Sequence, residues 1–485
     1  MRISQVFRLG VSQHELDFID IDPSRDTRLF LDPHFLAHRE DRFSMEASST
    51  VRGFFSRFLE LVREGEHERA RRLFSYLHEP NETCLGMSKG KPKGNAVGES
   101  LADLLYESLQ ESKAVSTGLI EHIEDVRLFV YGIDKDKVSD MVTNIVRKQL
   151  IDYTQEQCRF WGIPLTQDQD TGFYWDREAN DWVASFGDAL VYKARRLLLV
   201  PKGVVSYSKV YTADRFHRYG VLPYLQHRHL IMNSILVQRK VAKNGKERVF
   251  VTKKSIVGSG EAPLEKNFLV DFAQRNALQL AKFKQDEARY GASSVPAADF
   301  DPMIDLRDIA EALILRLAQI PAGRDHADAF HKCVAGVLEL LFYPSLIRPC
   351  IETRINDGRK RIDITFENAA EEGFFKRLHA SQGIPCPFVA IECKNYSSDP
   401  GNPEVDQLYG RLSPNRGKLG LLICRRVEDP DLLLRRCKDV YADNGSIIVP
   451  VVDADLVGML RRVDPLSSHP YEDFLTEAAR AVRMG

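Results

Sequence analysis

The chain has 485 residues, 44% of them hydrophobic and 28% charged, with a formal net charge of −2. That length exceeds one ordinary hydrophobic core, so two or three domains are expected. The near-neutral charge gives no sign of a polyanion partner, although a local basic groove can bind nucleic acid on a neutral protein. No apolar run approaches the roughly 18 residues of a membrane span. The opening "MRISQVFRLGVSQHELDF" carries charge too early for a secretory signal, so a cytoplasmic location with no membrane partner is the expectation. None of the eight cysteines forms a CxxC pair, which argues against zinc knuckles and thioredoxin-like sites and for reduced core residues.

Residues 1–165 read as mainly helical. Val51, Phe54, Phe55, Phe58 and Leu61 recur at helical spacing, as do Val138, Met141, Ile145, Leu150 and Tyr153. Between them "LGMSKGKPKGNAVG" invites a phosphate-loop reading. The interval from Gly86 to Gly90–Lys91 is one residue short, however, and Pro92 replaces the hydroxyl that would hold magnesium, so a surface loop fits better. Residues 166–300 are strand-rich. Asn244–Gly245 marks a hairpin turn, and Arg239, Lys240, Lys243, Lys246, Arg248, Lys253 and Lys254 crowd around it. Either a lysine-guarded edge or a basic finger on a phosphate backbone accounts for them. A helix at about 264–289 leads to "GASSVPAADFDP" (291–302), the best domain boundary in the chain.

Residues 301–485 alternate regularly. A helix in "HADAFHKCVAGVLELLF" precedes strands in "SLIRPCIETRI", "RKRIDITFEN" (after the turn "NDG") and "PCPFVAIECKN". Then come a helix in "PEVDQLYGRL", a strand in "KLGLLICRR", a helix in "DPDLLLRRCKDVYADNG", the strand "SIIVPVVD" and the amphipathic "ADLVGMLRRV". The fold class is α/β, in the order α-β-β-β-α-β-α-β, with the middle strands apolar enough to be covered on both faces.

Strand alternation places Glu392 and Lys394 on one face and Cys393 on the other. Asp363, between Ile362 and Ile364, belongs to the preceding strand. Two carboxylates from adjacent strands can converge on a hard cation such as Mg²⁺, with Mn²⁺ as a substitute, and leave positions for water and phosphate. The lysine then either helps to activate the attacking water or neutralises charge on phosphorus. An E-x-K triplet alone is weak evidence. Glu111–Ser112–Lys113 is another, in a helical stretch where i and i+2 do not face each other. The competing reading is a strand-end ion pair beside a solvated aspartate.

On "RIDITF", "FVAIECKNYSS" and the order of elements, residues 320–460 resemble the PD-(D/E)XK nuclease superfamily, the restriction-endonuclease-like fold with its mixed sheet. The resemblance implies a Mg²⁺-dependent phosphodiester hydrolase in which Asp363 and Glu392 bind metal with the Cys393 carbonyl, and Lys394 is catalytic. Ile362 stands where the name-giving proline would be. Glu339 is similar to the helix glutamate that some members add to the metal site, its alternative being a helix-surface flank. Gln407 resembles a polar residue on the helix after the E-x-K strand, with Arg411 one turn on within reach of phosphate. His326 and His331 read as capping or surface residues. DNA is the expected substrate, in a role similar to restriction or anti-phage defence, with a homodimer expected for cutting both strands and a partner protein or trigger for relieving inhibition. An RNA-directed nuclease and a non-catalytic nucleic-acid-binding scaffold are the alternatives.

Overall fold

The computed structural model describes residues 1–87, 103, 106–241, 247–290, 294–355, 360–464 and 469–484. Most of the glycine- and lysine-rich loop, the hairpin turn with Lys243 and Lys246, residues 291–293, and the turn 356–358 with Arg359 lie outside them. Helices of eight residues or more are numbered in chain order.

The N-terminal half is built around α1 (Arg42–Arg63), α2 (Lys135–Ile145) and α3 (Arg147–Trp161). An antiparallel sheet of β1 (Thr166–Asp176), β2 (Asp181–Tyr192) and β3 (Arg195–Leu197) packs on them. Asp41 caps α1 by accepting from the Ser44 N–H, and Gly162 ends α3 at φ 69°, a left-handed cap that only glycine adopts freely. The apolar stripe of α1 drives Phe54 edge-on against Trp175 of β1 and Trp182 of β2. A single buried cluster takes in residues from Ile3 to Val295, so the helical and strand-rich stretches share one core across residue 165.

Next come α4 (Leu222–Ile231), the ribbon β4 (Gln238–Val241) with β5 (Glu247–Phe250), α5 (Lys266–Arg275) and α6 (Ala277–Tyr290). The single helix expected at 264–289 is two. Asn276 leaves helical geometry at φ −134°, ψ 52°, and its side-chain amide donates to the Phe272 carbonyl, closing α5.

The C-terminal half begins with α7 (Leu306–Gln319) and α8 (Ala327–Phe342). Its five-stranded mixed sheet has the order β10-β9-β8-β7-β6, formed by β6 (Leu346–Ile355), β7 (Lys360–Asn368), β8 (Phe388–Lys394), β9 (Leu419–Cys424) and β10 (Ile447–Val452). β6, β7 and β8 pair antiparallel; β8, β9 and β10 are parallel, joined by α9 (Asn402–Tyr409) and α10 (Pro430–Asn444), as parallel pairs require a crossover. α11 (Asp453–Leu460) follows the sheet, and α12 (Glu472–Arg483) packs on β10 and α10. Three helical pieces were not anticipated: α7, α12 and the stretch from Gly373 to Ser381 between β7 and β8.

The halves meet along a seam that is both apolar and charged. Ile347 of β6 lies on Gly203, where an added Cβ would come within 2.6 Å of it. Arg348 donates its N–H to Asp17 at 2.9 Å and pairs with Glu367 at 2.8 Å, while Tyr153 donates to the other oxygen of Asp17 at 2.5 Å. Buried charges are tolerated in pairs, and each of these has partners. No described helix is long and apolar enough to cross a membrane.

Candidate functional site

β8 is buried from Val389 onward, yet it ends in Glu392, Cys393 and Lys394. Alternation sends the Cys393 thiol into the core and Glu392 and Lys394 to the opposite face. The register Ile364↔Ile391, carried one step further, sets Asp363 across from Glu392. There β7 diverges, and the Asp363 carboxylate takes over the ladder, with Oδ2 accepting the Cys393 N–H at 2.9 Å. Burial, then the charges of Asp363 and Glu392, push the Cys393 thiol well above its ordinary value, so it stays protonated.

Lys394 Nζ donates to Glu392 Oε1 at 2.9 Å and to Gln407 Oε1 at 3.0 Å. α9 brings Gln407 there because Gly420 of β9 has no side chain; a Cβ at that position would meet Leu408 at 3.0 Å. Glu392 is fully buried, and its Oε2 makes no hydrogen bond among the described residues, lying 3.5 Å from Arg411 Nη1. Arg411 is itself fixed by donating to the carbonyls of Arg361 and Gln407. Asn395 ties the strand end to the α7–α8 connection, donating to the carbonyls of Pro321 and Gly323.

The electrostatics follow from this packing. Burial and then the neighbouring Asp363 raise the Glu392 carboxyl above its ordinary value, against the pull of Lys394 and Arg411. For Lys394, burial acts to lower the ammonium pKa, but the charge and hydrogen bond of Glu392 outweigh it, and the net displacement is upward. Lys394 is therefore a protonated donor in this arrangement, not a base.

Asp363, Glu392, Lys394 and Gln407 thus come together. Glu339 does not join them. It is 1% exposed and faces Lys202 Nζ at 2.9 Å across the seam, with Asp17 its other charged neighbour. The reading of Glu339 as a helix-surface flank fails equally, because the whole second half of α8 is covered. The α8 residue that reaches the site is His331, two turns earlier, with Nε2 4.0 Å from Asp363 Oδ2. Its signal in the sequence is the polar stripe Asp328, His331, Lys332 on an otherwise apolar helix. Arg411, expected one turn after Gln407, also reaches the site, with its guanidinium 3.5 Å from Glu392 Oε2.

Among the described residues no three or more His, Cys, Asp or Glu side chains gather as a metal-binding group. Asp363 and Glu392 are neighbouring carboxylates, and such a pair suits a hard cation that keeps most of its positions for water. The buried, hydrogen-bond-free Oε2 of Glu392 and the raised Glu392 pKa are both features that a cation beside Asp363 would relieve.

Next to the site lies a cleft of about 1040 Å³ between the halves, walled by α1 and α3 on one side and β6, β7 and β8 on the other. Its lining includes Thr365, Phe388 and Ala390, which share the sheet face of Asp363 and Glu392. Arg411 and His331 belong to both cleft and site.

No curated protein and no solved structure matches the chain. One family model, described as a domain of unknown function (DUF8370), matches residues 8–212, a segment that contains α1–α3 and β1–β3 and ends well before the carboxylates.

Proposed function

We propose that the chain is a metal-dependent nuclease that hydrolyses phosphodiester bonds, with DNA the first substrate to test and RNA the second. The observation that carries the reading is that Asp363, where the β7–β8 pairing ends, accepts the Cys393 N–H next to Glu392, with Lys394 held there by Glu392 and Gln407. The order of helices and strands around the mixed sheet supports it, being similar to the PD-(D/E)XK fold. Asp363 and Glu392 would hold Mg²⁺, with the Cys393 carbonyl, and the bound ion would supply a polarised water and charge neutralisation at phosphate. Lys394, kept protonated by Glu392, stabilises the negative charge that builds on the phosphoryl oxygens. Gln407 and Arg411 position it and Glu392. The water oxygen bonds to phosphorus, the bond to the leaving sugar oxygen breaks, and the products are a phosphate monoester and a hydroxyl.

A second reading has its own support. Lys394 and Arg411 already neutralise Glu392, and no third acidic ligand is present among the described residues, as in a nucleic-acid-binding scaffold that retains an ion-paired strand end. Incubating supercoiled plasmid, linear DNA and RNA with the chain and Mg²⁺ or Mn²⁺ decides between them. The nuclease reading expects cleavage that Asp363→Asn and Glu392→Gln abolish. Cleavage unchanged in both variants, or absent on all three substrates with either metal, would overturn it.

A further inference from the structure

We propose that the cleft between the two halves binds a single-stranded segment of nucleic acid, with the N-terminal half supplying one wall; this rests on the nuclease reading of the adjoining carboxylates. The cleft opens on the sheet face that carries them, and Arg411 and His331 line it while contacting Glu392 and Asp363. A ligand lying in the cleft therefore runs toward the site. Among the described residues each half also contributes to the lining a cation with no carboxylate partner. Arg159, exposed on α3, makes a single hydrogen bond, to Gln155 Oε1 at 3.4 Å, and Arg416, before β9, donates to the Arg411 carbonyl at 3.1 Å. Neither pairs with a carboxylate among the described residues. Other cations in the lining are engaged: Arg42 with Glu46 at 2.7 Å, Arg348 with Glu367 at 2.8 Å.

Guanidiniums without a carboxylate partner at a cleft suit phosphodiester oxygens, which they can bind in bidentate fashion. The half-buried rings of Phe160 and Phe388 line the same cleft and offer apolar faces to bases. Cations with interleaved aromatics are the combination that holds single strands without reading sequence. At about 1040 Å³ the space is at the upper end of small-molecule cavities, room for a few nucleotides. The segment matched by the domain of unknown function, which contains Arg159, thereby acquires a role in holding substrate.

The test uses the full chain carrying Asp363→Asn, in EDTA, and the anisotropy of a short fluorescein-labelled mixed-sequence DNA, single-stranded or as blunt duplex, across a NaCl series. Single strand is expected to bind more tightly than duplex. Arg159→Glu and Arg416→Glu are each expected to weaken single-strand binding about tenfold and to reduce the salt slope by about one. Arg57→Glu, on the N-terminal half outside the cleft, is expected to change neither, and circular dichroism of all variants to match the parent. Equal affinity in parent and both cleft variants, or tighter binding of duplex than of single strand, would overturn the proposal. If the wild type cuts DNA while the cleft variants bind normally, this inference falls and the nuclease reading stands. If nothing is cut but arginine-dependent binding persists, the reverse holds.

Discussion

Replacing Glu339 with glutamine removes a carboxylate that α8 buries against the N-terminal half, 2.9 Å from Lys202 Nζ. Burial, only partly offset by Lys202 and added to by Asp17, pushes this carboxyl from 4.5 up to about 7. Below pH 4.5 both folded and unfolded states hold the proton, and the group contributes nothing to pH dependence. Between 4.5 and 7 the unfolded state releases it while the folded state keeps it, so stability falls as pH rises. Above 7 both are ionised and the loss is complete, at about 3 kcal/mol given about 1.36 kcal/mol per pH unit. Urea unfolding at several pH values, followed by fluorescence of Trp161, Trp175 and Trp182, reports on the half that Glu339 abuts. Raised acids that do not interact with Glu339, such as Glu124 and Glu367, are present in both proteins and cancel in the comparison. The wild type minus Glu339→Gln difference should shift by about 3 kcal/mol against the wild type between pH 4.5 and 7.5. A difference that does not change with pH would refute the placement of Glu339 as a seam carboxylate displaced by burial.

Two further outcomes follow from the strand end. Lys394→Met should lower the rate constant for DNA cleavage by about 10²–10³, the usual cost of one charge-stabilising donor, while leaving Mn²⁺ affinity within a few-fold in a calorimetric titration. Gln407→Leu removes the second acceptor that aims Lys394, and should lower kcat about tenfold with KM nearly unchanged, with Gln407→Glu recovering most of the loss because it restores an acceptor.

Much of the C-terminal half was legible because its signals are local. The apolar runs of β8, β9 and β10 and the helical periodicity between them read directly as elements, and strand alternation alone put Glu392 and Lys394 on one face. Asp363 was findable because its flanking β-prone residues placed it on the neighbouring strand. Glu339 was not resolved, since a helix covered on nearly every side gives no periodic clue to what covers each side, and Lys202 comes from the other half of the chain. His331 reads as a capping or surface residue for a related reason: its approach to Asp363 depends on how α8 crosses the strand end, which no local pattern encodes. The break at Asn276 hides inside a helical stretch, because asparagine there competes for backbone bonds without the punctuation of glycine or proline. The cleft walls are more distant still, formed by residues as far apart as Arg42 and Gly417.

The proposed hydrolysis requires Asp363 and Glu392 to share a cation. Calorimetric titration of Mn²⁺ into the wild-type chain and into the Asp363→Asn/Glu392→Gln double variant measures this without requiring a substrate. The expected result is saturable binding heat in the wild type that the double variant lacks, with both proteins unfolding at similar temperatures. Superimposable isotherms, with heat in both or in neither, would contradict it.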